Sequence, residues 1–204
     1  MAERIALYGG SFNPIHHAHL IIAREIAERL ELNRVVFLPS ARPPHKGAET
    51  LIAPAHRAEM VKLAIHSEPM FEFSDFDLAR DEPSYTIDAV MHFRAVYGDE
   101  AELFWIIGAD SLAELITWHR VGELVDACEI ITASRPEWED IPWDALATAL
   151  GPDQIKAIKK HMLRTPLLEL SSTVIRRRLR MGLSVRYMVP DSVLGYINKH
   201  AICR

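Results

Sequence analysis

Two short stretches, one near each end of the chain, carry residues whose types and spacing could do chemistry. The first is Gly9-Gly10-Ser11-Phe12-Asn13-Pro14-Ile15-His16-His17-Ala18-His19. Adjacent glycines let the backbone turn sharply and approach a ligand closely. Pro14 stiffens the loop, and His16 and His19, three apart, project from one face once a helix begins. The amides at a helix start add positive potential suited to phosphate. Three readings fit: an anion site, surface histidines beside a glycine turn, or a metal site, although no carboxylate or cysteine stands at a familiar ligand spacing. The second stretch is Leu170-Ser171-Ser172-Thr173-Val174-Ile175-Arg176. Hydroxyl residues ahead of a helix are natural N-caps. With an arginine one turn in, they also form an anion cradle. The run Arg176-Arg177-Arg178-Leu179-Arg180 reads equally as a solvated face or a nucleic-acid patch.

Composition narrows the choices. The 204 residues suit one domain spanning 1–204, and 49% hydrophobic with 25% charged residues can bury a core and stay soluble. A net charge of −5 and a pI of about 6.1 argue against a duplex nucleic-acid partner, which wants a basic excess. Small anions remain allowed, because a local cationic cluster can hold them. The two cysteines, Cys128 and Cys203, form no C-x-x-C pair, so structural zinc and a disulfide framework are not expected. No apolar run approaches a membrane span, and a reducing cytoplasm fits best.

The elements that must position these residues follow from periodicity. Arg4–Tyr8, Val35–Leu38, Phe71–Phe76, Leu103–Ile107, Glu129–Thr132 and Leu167–Leu170 read as strands. Between and beyond them, helical patterns occupy Pro14–Glu31 (after a turn), Ala55–Ile65, Thr86–Tyr97, two short pieces between Ser111 and Val125, Ser172–Met181 and Ser192–Lys199. Continuously apolar strands separated by helices imply a parallel sheet covered on both faces. The expected fold is a doubly wound α/β sheet of Rossmann-like type, with ligands beyond the carboxyl ends of its strands.

Both stretches resemble known signatures. The first is similar to the G-x-F-x-P-x-H-x-G-H string of the nucleotidyltransferase superfamily, with Ala18 where glycine is usual. The second is similar to its S-[ST]-T-x-[IL]-R string, which embraces the ATP β- and γ-phosphates. That superfamily includes nicotinate-nucleotide, nicotinamide-nucleotide and pantetheine-phosphate adenylyltransferases. Pro43-Pro44-His45-Lys46, Pro83-Ser84-Tyr85-Thr86, Ile107-Gly108-Ala109-Asp110-Ser111-Leu112, Trp118 and Ser134-Arg135-Pro136 resemble the bacterial nicotinate-nucleotide adenylyltransferases, in that family's order.

The resemblance implies a transfer of AMP from ATP to nicotinate mononucleotide, giving deamido-NAD and pyrophosphate. Its ATP-side residues would be Gly9, Gly10, Ser11, Phe12, His16, His19, Gly108, Asp110, Arg135, Ser171, Ser172, Thr173 and Arg176, with His16, His19 and Arg176 catalytic. Ser11 and Lys46 would hold the acceptor phosphate, with His45 nearby. Tyr85 and Thr86 would meet the nicotinate carboxylate, and Trp118 would stack on the pyridine ring. Asp110 would accept from the ribose hydroxyls. Each has a plainer account beside it: core packing for Trp118, a solvated side chain for Lys46, a helix N-cap for Asp110. The acceptor phosphate is already largely dianionic at neutral pH, so no general base is needed. His16 and His19 would steady the transferring phosphate, whose charge favours their protonated form. Mg²⁺ would arrive with ATP rather than in a protein metal cage. No nucleic-acid or membrane partner is expected, and a homo-oligomer is allowed.

Overall fold

The computed structural model describes residues 2–43, 51–134, 141–166 and 168–203. Among them, six parallel strands form one sheet: β1 (Arg4–Gly10), β2 (Arg34–Pro39), β3 (Phe71–Phe73), β4 (Glu102–Gly108), β5 (Glu129–Ser134) and β6 (Met162–Arg164), in the spatial order β3-β2-β1-β4-β5-β6. Chain order reverses between β1 and β4. Arg4 pairs with Glu102 across that seam, and Ile5 with Arg34 on the other side.

The side chains of β1 alternate between two cores. Ile5 and Leu7 join Leu103, Trp105 and Ile107 of β4 on one face. Ala6 joins Phe104 and Ile106 on the other. Helix α1 (His17–Arg29), α2 (Pro54–Ile65), α8 (Ser172–Arg180) and α9 (Asp191–Lys199) cover the second face, while α3 (Thr86–Tyr97), α5 (Val121–Ala127), α6 (Trp143–Ala149) and α7 (Pro152–Lys160) cover the first. A five-residue α4 (Ala109–Ala113) and a 3₁₀ turn (Leu115–Thr117) follow β4. The doubly wound expectation therefore holds. No helix among the described residues is long and apolar enough to cross a membrane.

The elements differ from the sequence reading in four places, the most extensive being α6 and α7, which the sequence reading did not name. The sixth strand is Met162–Arg164, and 168–170 lie outside any strand. This edge strand pairs only with β5 and is three residues long, too short to announce itself by periodicity. The third strand stops at Phe73, where its pairing with β2 ends. After β4 there are two short helices and a 3₁₀ turn, the first starting at Ala109.

Candidate functional site

The carboxyl ends of β1 and β4 carry the glycines. A Cβ on Gly9 would stand 2.2 Å from the Trp105 ring, and one on Gly108 would stand 2.5 Å from Asp110 Oδ1. Close approach, rather than turn geometry, demands glycine at Gly9, whereas the Asp110 side chain can swing away from a Cβ on Gly108. Gly108 is the N-cap of α4, so Asp110 sits within that helix's first turn and is not its cap.

Between β1 and α1, Phe12 adopts φ 40°, in the left-handed region, and its ring packs edge-on against Tyr8 and His19. His16 is the N-cap of α1 and is 4% exposed. Its ring stacks on His19 with centroids 3.7 Å apart, and its backbone N–H donates to His19 Nδ1 at 3.2 Å. An accepting Nδ1 places the proton of a neutral His19 on Nε2. Burial, aided by His17, pulls the His16 pKa down to about 4. In the ligand-free protein burial therefore leaves His16 neutral at pH 7, whereas the expected protonation belongs to the state with phosphate beside it.

The second stretch closes onto the first. Ser171 caps α8, its hydroxyl accepting from the Val174 N–H at 3.3 Å. Ser172 Oγ donates to Pro14 O at 2.8 Å, and Arg176 donates to Asn13 O at 2.8 Å and to Thr173 Oγ1 at 3.2 Å. His16 Nδ1 and Arg176 Nε are buried without a hydrogen-bond partner. Such atoms are costly unless something else satisfies them.

Two adjoining clefts open over the β1/β4 seam. One, of about 720 Å³, is bordered by Gly9, Gly10, Ser11, Phe12, His16, His19, Gly108, Asp110, Ser171, Ser172, Thr173 and Arg176. The other, of about 1010 Å³, is bordered by Ser11, Tyr85, Thr86, Asp110 and Trp118. Tyr85 caps α3, so that helix's N-terminal amides face an aromatic-walled space suited to a carboxylate. Every expected site residue among the described ones therefore falls on one of two clefts sharing a floor. His45, Lys46 and Arg135 lie outside the described residues. Among the described residues no group of three or more His, Cys, Asp or Glu is gathered as a metal site. The donors around the smaller cleft suit phosphate oxygens rather than a divalent cation.

The cytidylyltransferase-like family model matches residues 7–178. A probable nicotinate-nucleotide adenylyltransferase of Pseudomonas fluorescens is 39% identical, with 100% of this chain and 99% of that protein covered. One of Thermomicrobium roseum is 37% identical, covering 99% and 92%. The chain belongs to the nicotinate-nucleotide adenylyltransferase family. In fold it is also similar to the Plasmodium falciparum nicotinic acid mononucleotide adenylyltransferase complexed with NaAD, with a TM-score of 0.78, 19% identity and coverage of 98% and 97%.

In this member of the adenylyltransferase family, several residues around the clefts escaped the sequence reading. His119 stacks on Tyr85 with centroids 4.4 Å apart, at the rim of the larger cleft. Tyr8 borders both clefts, and burial, then the Asp110 charge, raise its pKa. Asp77 is 6% exposed and bonds the Ser84 hydroxyl, which in turn accepts from the Arg42 N–H at 3.3 Å. Burial pushes the Asp77 carboxyl up to about 6, partly offset by Ser84 and Arg80, while Asp88 adds to the rise. Only Ser84 among these stood in a recognised string.

Proposed function

We propose that the protein transfers the AMP moiety of ATP to nicotinate mononucleotide, yielding deamido-NAD and pyrophosphate. The observation that carries this reading is the union of the two phosphate strings: Arg176 and Ser172 bond the Asn13 and Pro14 carbonyls at 2.8 Å each, making one cleft of both. Sharing a floor with an aromatic cleft at a helix N-terminus, it suits two anions that must meet.

The acceptor's phosphate oxygen attacks the α-phosphorus in line, and the P–O bond to pyrophosphate breaks. No side chain needs to take a proton from a group already dianionic. His16 and His19 serve as N–H donors to phosphate oxygens, whose charge favours the protonated imidazole, while Arg176 and the Ser171–Thr173 hydroxyls and amides stabilise charge on the departing pyrophosphate. Mg²⁺ enters as part of the MgATP substrate, held by phosphate oxygens and water. The amides of Tyr85 and Thr86 favour nicotinate over nicotinamide, since a carboxylate offers only acceptors.

The test supplies ATP with nicotinate mononucleotide, nicotinamide mononucleotide or phosphopantetheine, follows pyrophosphate, and identifies products by mass. Deamido-NAD formed fastest is the expected result. Faster turnover of phosphopantetheine, or none with the pyridine acceptors, would overturn the reading.

A further inference from the structure

Among the described residues, Arg57 of α2 is the largest side chain wholly shielded from solvent. No described carboxylate pairs with it, and burial alone lowers its pKa. A guanidinium nevertheless stays charged at neutral pH. Among the described residues its hydrogen bonds go to backbone carbonyls of separate segments: Ser11 O at 2.7 Å, Ile52 O at 2.9 Å and Ala41 O at 3.4 Å. A cation sealed in the interior opposes folding in a way that an apolar side chain of similar bulk would not. A role beyond filling space is therefore indicated by where those carbonyls lie.

Ser11 borders both clefts. Ala41 adjoins the strand end at Ser40, which borders the larger cleft, and Ile52 follows Leu51, which borders the smaller. In a trans peptide the carbonyl and the next N–H point opposite ways. Drawing the Ser11 carbonyl to Arg57 therefore turns the Phe12 N–H to the opposite side of the loop. It does so beside a residue held at φ 40°, a conformation that local sequence does not favour. The Ile52 N–H also bonds Asn13 Oδ1 at 2.9 Å, so the same segment grips the loop a second time.

We propose that Arg57 is a positioning residue for the transfer, its guanidinium fixing the loop after β1 and the chain on either side of 42–51 so that the acceptor phosphate meets the α-phosphorus in line. This rests on the adenylyl-transfer reading above. The buried fork acts through Ser11 and does not itself touch substrate.

The experiment compares Arg57→Lys and Arg57→Met with the unsubstituted protein, taking kcat and KM for both substrates per folded molecule, with circular dichroism and melting temperature beside them. Lysine keeps a charge but cannot reach three carbonyls in a fork. Arg57→Lys is expected to raise the acceptor KM and lower kcat, reducing kcat/KM on the order of a hundredfold. The ATP KM should change least, and Arg57→Met should lose more. If both variants melt earlier yet keep the parent's kcat and KM per folded molecule, Arg57 is only structural and the inference falls. Should Arg57→Met not fold, the lysine variant decides. Transfer by the unsubstituted protein is measured first, since its absence would strike the functional reading instead.

Discussion

The two clefts over the sheet seam are built on opposite plans. The smaller is tied shut at its walls: α8 reaches the β1–α1 loop through Ser172 and Arg176, and His16 reaches His19 one turn on. Around it stand the Ser171, Ser172 and Thr173 hydroxyls, the Arg176 guanidinium and the stacked His16–His19 pair. The larger has ring faces for walls, from Trp118 and the Tyr85–His119 stack, and its polar support comes from a buried acid behind Ser84. A polyphosphate is matched by many fixed donors, whereas a flat ring with one charged corner is matched by surfaces and a helix end. The difference places catalytic cost on one side and acceptor affinity on the other.

The contrast is broken most directly at His19. His19→Ala removes a donor and the acceptor of the His16 N–H, and turnover should fall about 10²- to 10³-fold with the fold retained. Near-normal turnover would remove the histidines from the chemistry.

Acid sharpens the contrast next. His16, with a folded pKa of about 4, resists a proton that the unfolded chain accepts near 6.5, so it withdraws stability as pH falls between those values. Asp77 works the other way. Its folded carboxyl binds a proton near 6, before the unfolded one does near 3.8, so it adds stability as pH falls through that window. Asp77→Asn should accordingly gain about 2 kcal/mol over the parent at pH 7 to 8 in denaturant melts. That gain should shrink through pH 6 and vanish near pH 4. A gain that stays constant with pH would show that charge burial is not the cause.

The smallest effect belongs to the aromatic wall. Trp118→Ala should weaken nicotinate mononucleotide binding by about 1 kcal/mol and ATP binding by less, as read by calorimetry. Equal losses for the two would undo the division of labour between the clefts.

How much of this was legible varies with the physics behind each residue. The helix Thr86–Tyr97 was readable to the residue, because its apolar period runs unbroken to Gly98. Both phosphate strings could be placed after a strand or before a helix from local pattern alone, and the mutual bonds of Arg176 and Ser172 follow from neither. Arg57 looks in sequence like any charged residue on an amphipathic helix, and only the convergence of three loops makes it interior. Asp77 was silent for the same reason. Likewise, the neutrality of His16 is set by its burial, which no spacing rule supplies. The edge strand Met162–Arg164 was missed because three residues are too short a run for periodicity to register.

Tyr8, Gly9, Gly10 and Ser11 border both clefts. A molecule long enough to lie across that strip gathers the grip of each half while surrendering its tumbling freedom only once. The dinucleotide is such a molecule, so the architecture that hastens joining also delays departure. A tethered mimic laid along the same strip would inherit that slow escape.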